Sequence, residues 1–405
     1  MFAGPQLTEV GRRENLTALL YDEEFGSLLG GLDDMPRFVI YGRGEDPSID
    51  SVIADHADDD GEPPRIESRF TMLTSGTTGT PKGAKRGSPE GMMPIASMLS
   101  RIPYRAGERT MIAAPLFHSW GLGQLQLGLV LGATYVLNHR FDPEATLKAV
   151  AEHQCTTLAV VPIMMQRILA LPDDVKRKYD LSSLRITAAS GSALPGHLAT
   201  EWMDTFGDNL YNFYGSTEVA MATVATPEDM RAAPGTAGNA PLGTMVKILD
   251  SQGQPLPDGE TGRIFVANSM SFEGYTSGED KERLQGMVSS GDVGHFDEGG
   301  RLFVEGRDDD MIVSGGENVF PREVEDLIAG HEDVEEVAVI GVSDAEWGQR
   351  LKAFVVLKGG ASLTDDDIKT FVRQRLASYK VPRAVSFIGV LPRNATGKVL
   401  RRELN

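Results

Sequence analysis

The stretch at residues 157–191, TLAVVPIMMQRILALPDDVKRKYDLSSLRITAASG, decides the fold class of this chain. It starts with an apolar run that Pro162 ends, and apolar residues at helical spacing follow. A second strand pattern at 184–189 ends at a Ser-Gly pair, and a third follows at 210–214. Strands that alternate with helices predict a doubly wound, mostly parallel sheet, so we expect an α/β protein.

Outward from this stretch, the chain divides into two predicted domains. Residues 1–307 are expected to form a large N-terminal domain, in which short strand patterns at 240–305 add a small β-rich section to the sheet. Residues 308–405 are expected to form a small, mobile α+β domain that contains a helix opened by Pro321.

Composition excludes some classes of protein. The 405 residues carry a formal net charge of -19, which disfavours binding to nucleic acid phosphates. Cys155 is the only cysteine, so neither an intrachain disulfide nor an all-cysteine metal site can form. A reducing, cytoplasmic location is therefore expected.

The sequence shows no sign of export or of membrane insertion. Arg12, Arg13 and Glu14 interrupt the apolar core that a signal peptide would need. The most apolar stretch, 125–137, is shorter than the roughly 20 residues of a membrane-spanning helix. It predicts a buried helix that runs into a strand, and we expect no transmembrane segment.

The most specific motif is TSGTTGTPKG at residues 74–83, directly after a short strand pattern. Glycines and small hydroxyl residues let backbone amides approach phosphate oxygens, and a lysine adds positive charge. The motif lacks the Lys-Ser/Thr ending of a Walker A loop. A flexible linker is the alternative, but it would need neither the Pro-Lys-Gly ending nor the preceding strand. The residues expected to bind phosphate are Thr74, Ser75, Gly76, Thr77, Thr78, Gly79 and Lys82.

Four further motifs are weak one by one, since each also fits an ordinary turn, a solvated linker or a frayed tail. In YGSTE, 214–218, an aromatic ring can stack on a base, a hydroxyl can bind phosphate and a carboxylate can hold magnesium. In SGD, 290–292, a carboxylate on a tight turn can take both ribose hydroxyls. GRDDD at 306–310 is followed by SGGEN, and PRNATGK at 392–398 places a lysine on a glycine-containing tip.

Together and in this order, the five motifs resemble those of the adenylate-forming superfamily, which includes acyl-CoA synthetases, luciferases and peptide synthetase adenylation domains. The resemblance covers roughly residue 70 to the C-terminus. The segments PLFH at 115–118, GGENVFP at 315–321 and 392–404 look most like the fatty-acyl-CoA ligase branch. The resemblance implies that ATP, with Mg²⁺, converts a medium- to long-chain fatty acid to acyl-AMP, and that CoA then accepts the acyl group.

The resemblance also implies roles for individual residues. Glu218 would hold magnesium, Asp309 would be the hinge of the small domain, and Gly315 and Gly316 would line the CoA channel. Catalytic roles are implied for Lys398, Thr217, Glu218 and His118. Nucleotide contacts are implied for Gly191, Ser192, Ala193, Tyr214, Gly215, Asp292 and Arg307. The acyl pocket is expected to draw on Val161, Pro162, Met164, Met165, Ala220 and Met221.

Three hypotheses for the function stay open. The first is the fatty-acid-CoA ligase, and the second is an acyl-AMP ligase that loads a carrier protein. The third is a non-catalytic nucleotide-binding remnant, because relatives carry a longer segment before the phosphate loop than the 73 residues found here. We expect small-molecule partners, namely the acid, ATP and CoA, and leave open a homodimer and a peripheral location at the inner membrane surface.

Overall fold

A computed structural model of the chain describes residues 4–57, 65, 71–74, 82–87, 91–270, 272–314, 317–344, 348–394 and 397–404. The chain forms two compact units. The N-terminal unit comprises Met1–Ser88 and Phe272–Asp280, and the main unit comprises Pro89–Ser271 and Lys281–Asn405.

The helices and strands alternate along much of the chain. The helices are α1 Gly4–Arg13, α2 Ile49–Asp55, α3 Met93–Leu99, α4 Ser119–Val130, α5 Pro143–Glu152, α6 Pro162–Leu169, α7 Asp173–Lys178, α8 Gly196–Phe206, α9 Pro227–Ala232, α10 Pro321–Ala329 and α11 Asp365–Arg373. The strands are β1 Leu19–Asp22, β2 Arg37–Tyr41, β3 Met72–Thr74, β4 Lys82–Arg86, β5 Arg109–Ile112, β6 Thr134–Leu137, β7 Thr157–Val160, β8 Ile186–Ala189, β9 Leu210–Tyr214, β10 Thr223–Ala225, β11 Met245–Leu249, β12 Gly262–Ala267, β13 Phe272–Tyr275, β14 Arg283–Leu284, β15 Met287–Phe296, β16 Leu302–Arg307, β17 Ile312–Ser314, β18 Glu317–Val319, β19 Val334–Asp344, β20 Gly348–Leu357 and β21 Ala384–Phe387.

The N-terminal unit contains two small sheets. β1 and β2 pair in parallel, and β3, β4 and β13 form an antiparallel sheet with β4 in the middle. Thr74 lies opposite Lys82 in the β3–β4 pair, so the two ends of the predicted phosphate loop are neighbours. The Thr276 hydroxyl accepts a hydrogen bond from the Gly83 amide at 3.2 Å and donates one to Glu14 at 2.8 Å.

The main unit is built on the parallel sheet that the sequence predicts. Its six strands lie in the order β10-β9-β8-β7-β5-β6, and all neighbours except the β10–β9 pair run parallel. Every residue of β7 and β8 is buried, as expected for central strands covered on both faces. The doubly wound α/β prediction is confirmed.

The prediction for 125–137 is right in its elements and partly wrong in its burial. This stretch forms the end of α4 and then β6, which is an edge strand of the sheet. However, Leu129 is 66% exposed, Val130 57% and Leu137 49%. Leu137 lies on the edge strand, and Leu129 and Val130 are the last two residues of α4, and periodicity encodes neither position. In the part of the chain that the structure describes, no helix has the length and apolarity to cross a membrane.

Two further sheets complete the main unit. The predicted β-rich section is an antiparallel sheet in the order β11-β12-β15-β14, with β16 beside β15. The last sheet has the order β18-β17-β20-β19, with β21 beside β20. Residues of α10, α11 and β19 form an apolar cluster that belongs to this last sheet and includes Val324, Ile368 and Val339. The domain boundary at residue 308 stays a prediction.

The final segment of the chain is tied to this last sheet by a largely buried ion pair. The Glu325 carboxylate accepts from the Arg401 guanidinium at 2.8 Å and from the Val339 amide at 2.6 Å. Arg401 also donates to the Val339 carbonyl at 2.7 Å. One carboxylate therefore holds the C-terminal segment against α10 and β19.

We expect Glu325→Ala to lower the free energy of unfolding by on the order of 3 kcal/mol, because it leaves Arg401 without its carboxylate. Chemical denaturation measures this change. Glu332→Ala is the matched control, since Glu332 is exposed and its loss should cost under about 0.5 kcal/mol. Equal stability of the two variants would contradict a structural role for the pair.

Candidate active site

Three residues from separate predicted motifs meet at one point. Tyr214 ends β9, and its hydroxyl donates to Asp292 Oδ2 at 2.6 Å. Arg307 ends β16, and its Nη1 lies 3.7 Å from Asp292 Oδ1. Asp292 and Arg307 also lie opposite each other in the β15–β16 pair. An aromatic ring, a carboxylate and a guanidinium thus form one cluster.

The Asp292 carboxylate does not lie on a tight turn, as the sequence suggested. It lies within β15, where Gly291 adopts a φ of +77° and the register with β12 shifts. A positive φ inside a strand is typical of a bulge, which re-aims the next side chain. A Cβ at Gly291 would lie 3.2 Å from Arg307 Nη2, so glycine also makes room for the guanidinium.

The surroundings of Asp292 act on its pKa in both directions, and the net effect is a rise. Its side chain is only 13% exposed, and this burial raises the pKa of Asp292. The Tyr214 hydroxyl opposes that rise most strongly, and Arg307, Arg322 and Lys398 oppose it by their charges. Burial and the neighbouring Asp292 charge raise the pKa of Tyr214 well above its ordinary value, so its hydroxyl stays a hydrogen-bond donor.

The loop after β9 is shaped by a close backbone approach. A Cβ at Gly215 would lie 2.0 Å from the Ala220 carbonyl oxygen, so only glycine fits there. The Ser216 hydroxyl accepts from the Glu218 amide at 3.2 Å and bends the loop further. Thr217 and Glu218 therefore lie at the carboxyl end of a sheet strand, where α/β proteins bind ligands.

The loop after β8 brings Gly191 near His118. Gly191 has a φ of +95°, and a Cβ there would lie 3.1 Å from Val161 Cγ1 and 3.9 Å from His118 Cε1. Ser192 and Ala193 follow it and are exposed. The predicted nucleotide loop and the predicted catalytic histidine are thus neighbours.

His118 has a structural role that the sequence did not indicate. It is the N-cap of α4, and its Nδ1 accepts from the Trp120 amide at 3.4 Å. Burial lowers the pKa of His118 to about 4, and the Lys398 charge contributes to that. The ring is therefore neutral at physiological pH, with Nδ1 as the acceptor.

Lys398 lies among these groups. The Arg307 charge lowers the pKa of Lys398, and the Asp292 and Glu218 carboxylates raise it. Lys398 is exposed, but neighbouring protein displaces part of the water around its ammonium. Loss of bulk hydration is accordingly the main cause that lowers the pKa of Lys398, ahead of Arg307. Lys398 is thus within electrostatic range of Glu218, Asp292, Arg307 and His118.

Part of the predicted site lies outside the described residues. This applies to Ser75, Gly76, Thr77, Thr78 and Gly79 of the phosphate loop and to Gly315 and Gly316 of the predicted CoA channel. For Thr74, Lys82 and Asp309 only the backbone is described. Asp309 lies in a short 3-10 helix, Asp308–Asp310, directly after β16. The hinge and channel roles stay predictions.

Sequence reasoning missed Arg322. It lies in the first turn of α10, and its charge lowers the pKa of Asp292. The available signal was a basic residue directly after Pro321 in the GGENVFPRE segment. Nothing local to that segment, however, could show that the charge of this arginine acts on a carboxylate of β15.

Glu218 fits the chemistry of a magnesium ligand. Mg²⁺ is usually bound through one or two carboxylates, while phosphate and water oxygens complete its shell. Among the residues that the structure describes, no group of three or more His, Cys, Asp or Glu side chains could hold a metal alone. A single carboxylate next to a nucleotide is compatible with that mode of binding.

We expect the His118 ring to titrate near pH 4, and the Lys398→Ala variant to raise that pKa because it removes a positive charge. Histidine-selective NMR measures both values, with His118→Gln to assign the signal. The unfolded chain takes up this proton near pH 6.5. His118 therefore adds stability that is complete above pH 6.5 and lost as the pH falls toward 4. A pKa near 6.5 in the folded chain would contradict the burial of the ring.

Comparison with known proteins agrees with this geometry. A sequence model of the family "AMP-binding enzyme" matches residues 32–276, and one of "AMP-binding enzyme C-terminal domain" matches residues 323–398. A feruloyl-CoA synthase from Amycolatopsis sp is 38% identical over 360 residues, which cover 86% of this chain and 72% of that protein. The fatty acid–[acyl-carrier-protein] ligase ScoC from Streptomyces coeruleorubidus is 32% identical, over 99% of this chain and 79% of that protein.

The solved structures agree as well. The amide bond synthetase McbA from Marinactinospora thermotolerans superposes with a TM-score of 0.86 at 26% identity, covering 100% of this chain and 82% of McbA. The two family matches follow each other along the chain in the order of its predicted domains. The chain therefore belongs to the AMP-binding enzyme family.

Proposed function

We propose that this chain activates a carboxylic acid with ATP and transfers the acyl group to CoA. In the first step the acid's oxygen bonds to the α-phosphorus and pyrophosphate leaves. In the second step the CoA sulfur bonds to the acyl carbon, AMP leaves and the thiol proton is released. The observation that supports this most is the cluster of Tyr214, Asp292 and Arg307, with Lys398 close enough for its charge to interact with it.

The charges of these residues suit the adenylation step. A carboxylate must approach a triphosphate, so two anions meet and negative charge accumulates on the bridging oxygens. The Lys398 ammonium offsets this charge, and Glu218 would hold Mg²⁺, which neutralises phosphate charge when it is bound. Asp292 would accept hydrogen bonds from the ribose hydroxyls, and the Tyr214 ring would stack on the adenine. The phosphate loop at 74–83 would bind the β- and γ-phosphates.

We propose a medium- to long-chain fatty acid as the substrate. Val161, Met164, Met165 and Met221 are buried in one apolar cluster beside Gly191 and the site. Flexible methionines suit an alkyl chain, although the same side chains also serve as core. The fatty acid ligase among the relatives supports this choice, whereas the feruloyl-CoA synthase favours an aromatic acid.

A carrier protein is the alternative acceptor, because ScoC is described as a ligase that uses one. Both acceptors end in a pantetheine thiol, so the adenylation site would be the same for either. A cytoplasmic location, a peripheral membrane association and a homodimer stay predictions from the sequence.

A panel of short, medium, long and aromatic acids tests the substrate, with pyrophosphate release as the readout. We expect the highest kcat/KM for medium- to long-chain acids, and higher thioester yield with CoA than with a holo-carrier protein. A preference for the carrier would support the alternative acceptor. Folded protein that releases no pyrophosphate above background with any acid would favour a non-catalytic nucleotide-binding role.

Lys398→Ala should slow adenylation by on the order of 10²–10³, the usual cost of removing one preorganised charge-stabilising donor. Conversion of supplied acyl-adenylate to acyl-CoA should change much less, since no phosphate anhydride reacts in that step. Arg402→Ala is the matched control, because Arg402 is an exposed basic residue of the same segment. Equal losses in both half-reactions would contradict the role assigned to Lys398.

A further inference from the structure

One hydrogen bond connects the large sheet's helix α6 with the small C-terminal sheet. Gln166 Nε2 on α6 donates to the Glu335 carbonyl oxygen on β19 at 3.0 Å. Gln166 belongs to none of the motifs that point to the chemistry. Its side chain is the only donor in this bond, so its loss breaks the bond without altering the backbone of β19.

The loop that carries Lys398 rests on the same face of α6. A Cβ at Gly397 would lie 2.7 Å from Ile163 Cγ2, so the loop touches that side chain directly. Ile163 and Gln166 are three residues apart and therefore share one helix face. This face receives both β19 and the Lys398 loop.

Arg393 links the two contacts, because it binds both β19 and the Lys398 loop. Its Nη2 lies 3.1 Å from Glu336 Oε2, and its Nη1 donates to the Gly397 carbonyl at 2.6 Å. The Lys398 amide in turn donates to Asn394 Oδ1 at 3.0 Å. Glu336 follows Glu335 on β19, so whatever holds Glu335 on α6 also holds the loop and its lysine.

We propose that Gln166 is a positioning residue, which docks β19 and the Lys398 loop on α6 so that the ammonium stays within range of the Glu218 and Asp292 charges. Its catalytic consequence rests on the proposed function, since Lys398 is the group that it positions. Gln166 touches no substrate in this scheme. Its loss lowers the fraction of molecules in which Lys398 reaches the site.

The size of the effect follows from a single neutral hydrogen bond. Such a bond changes an equilibrium by about two- to tenfold, so Gln166→Ala should slow adenylation by about that factor. Gln166→Glu has nearly the same shape but places a carboxylate against a carbonyl oxygen. It should slow adenylation further, by about tenfold or more.

Separate assays of the two half-reactions test the proposal. Both Gln166 variants should slow pyrophosphate release and leave the conversion of supplied acyl-adenylate to acyl-CoA unchanged. Arg167→Ala is the matched control, because Arg167 is exposed on the same helix, and it should change neither step. Equal losses in both steps, as from general destabilisation, or no loss in either step, would overturn the proposal.

Hydrogen exchange provides a readout that does not require catalysis. In Gln166→Glu, amides of peptides that contain Gly397 and Lys398 should exchange faster than in the unchanged chain, while Arg167→Ala leaves them unaltered. If the unchanged chain activates no acid, the proposed function fails, but exchange still decides this inference. Identical exchange in Gln166→Glu and the unchanged chain would overturn it.

Discussion

The site depends on the buried carboxylate of Asp292, whose charge must be compensated by groups from several distant parts of the chain. Tyr214 comes from the end of the parallel sheet, and Arg307 from the β-rich sheet. Arg322 comes from α10, which packs on the small C-terminal sheet, and Lys398 from the final loop. A carboxylate out of water is tolerated only with such partners. Groups from three parts of the main unit therefore interact with one carboxylate.

The groups that compensate the Asp292 charge differ in the elements that carry them, which are strands for Tyr214 and Arg307 and a loop for Lys398. Tyr214 and Arg307 belong to regular strands and contact Asp292 at short range, so they remain if the final loop moves away. Lys398 is on a short loop, and among the described residues the Gly397–Ile163 contact and the Gln166–Glu335 bond connect this loop and β19 with α6. Partial desolvation and the Arg307 charge disfavour the charged form of Lys398 there, and the Asp292 and Glu218 charges favour it.

The shared scaffold of this family does not by itself identify the acid that a member activates. Members of this family with the same scaffold carry names for feruloyl, fatty acyl and amide-forming chemistry. The fold and the nucleotide site thus do not select the substrate. In this chain Val161, which lies next to Gly191, and Met221, which follows Glu218 by three residues, also pack in the main core.

The sequence by itself determined the order of the elements and the chemistry of the motifs. The strand patterns at 157–161 and 184–189, which alternate with helical spacing, predicted a mostly parallel sheet. Tyr214, Asp292 and Arg307 could be named because each lies in a short motif of recognisable spacing. The tertiary structure alone decided that Asp292 lies on a bulged strand, that Leu129 is exposed at the end of α4 and Leu137 on an edge strand, and that His118 caps α4. It also decided that the Arg322 charge acts on Asp292 and that Gln166 donates to Glu335. These contacts join residues far apart in the chain, and local periodicity carries no information about which surfaces will meet.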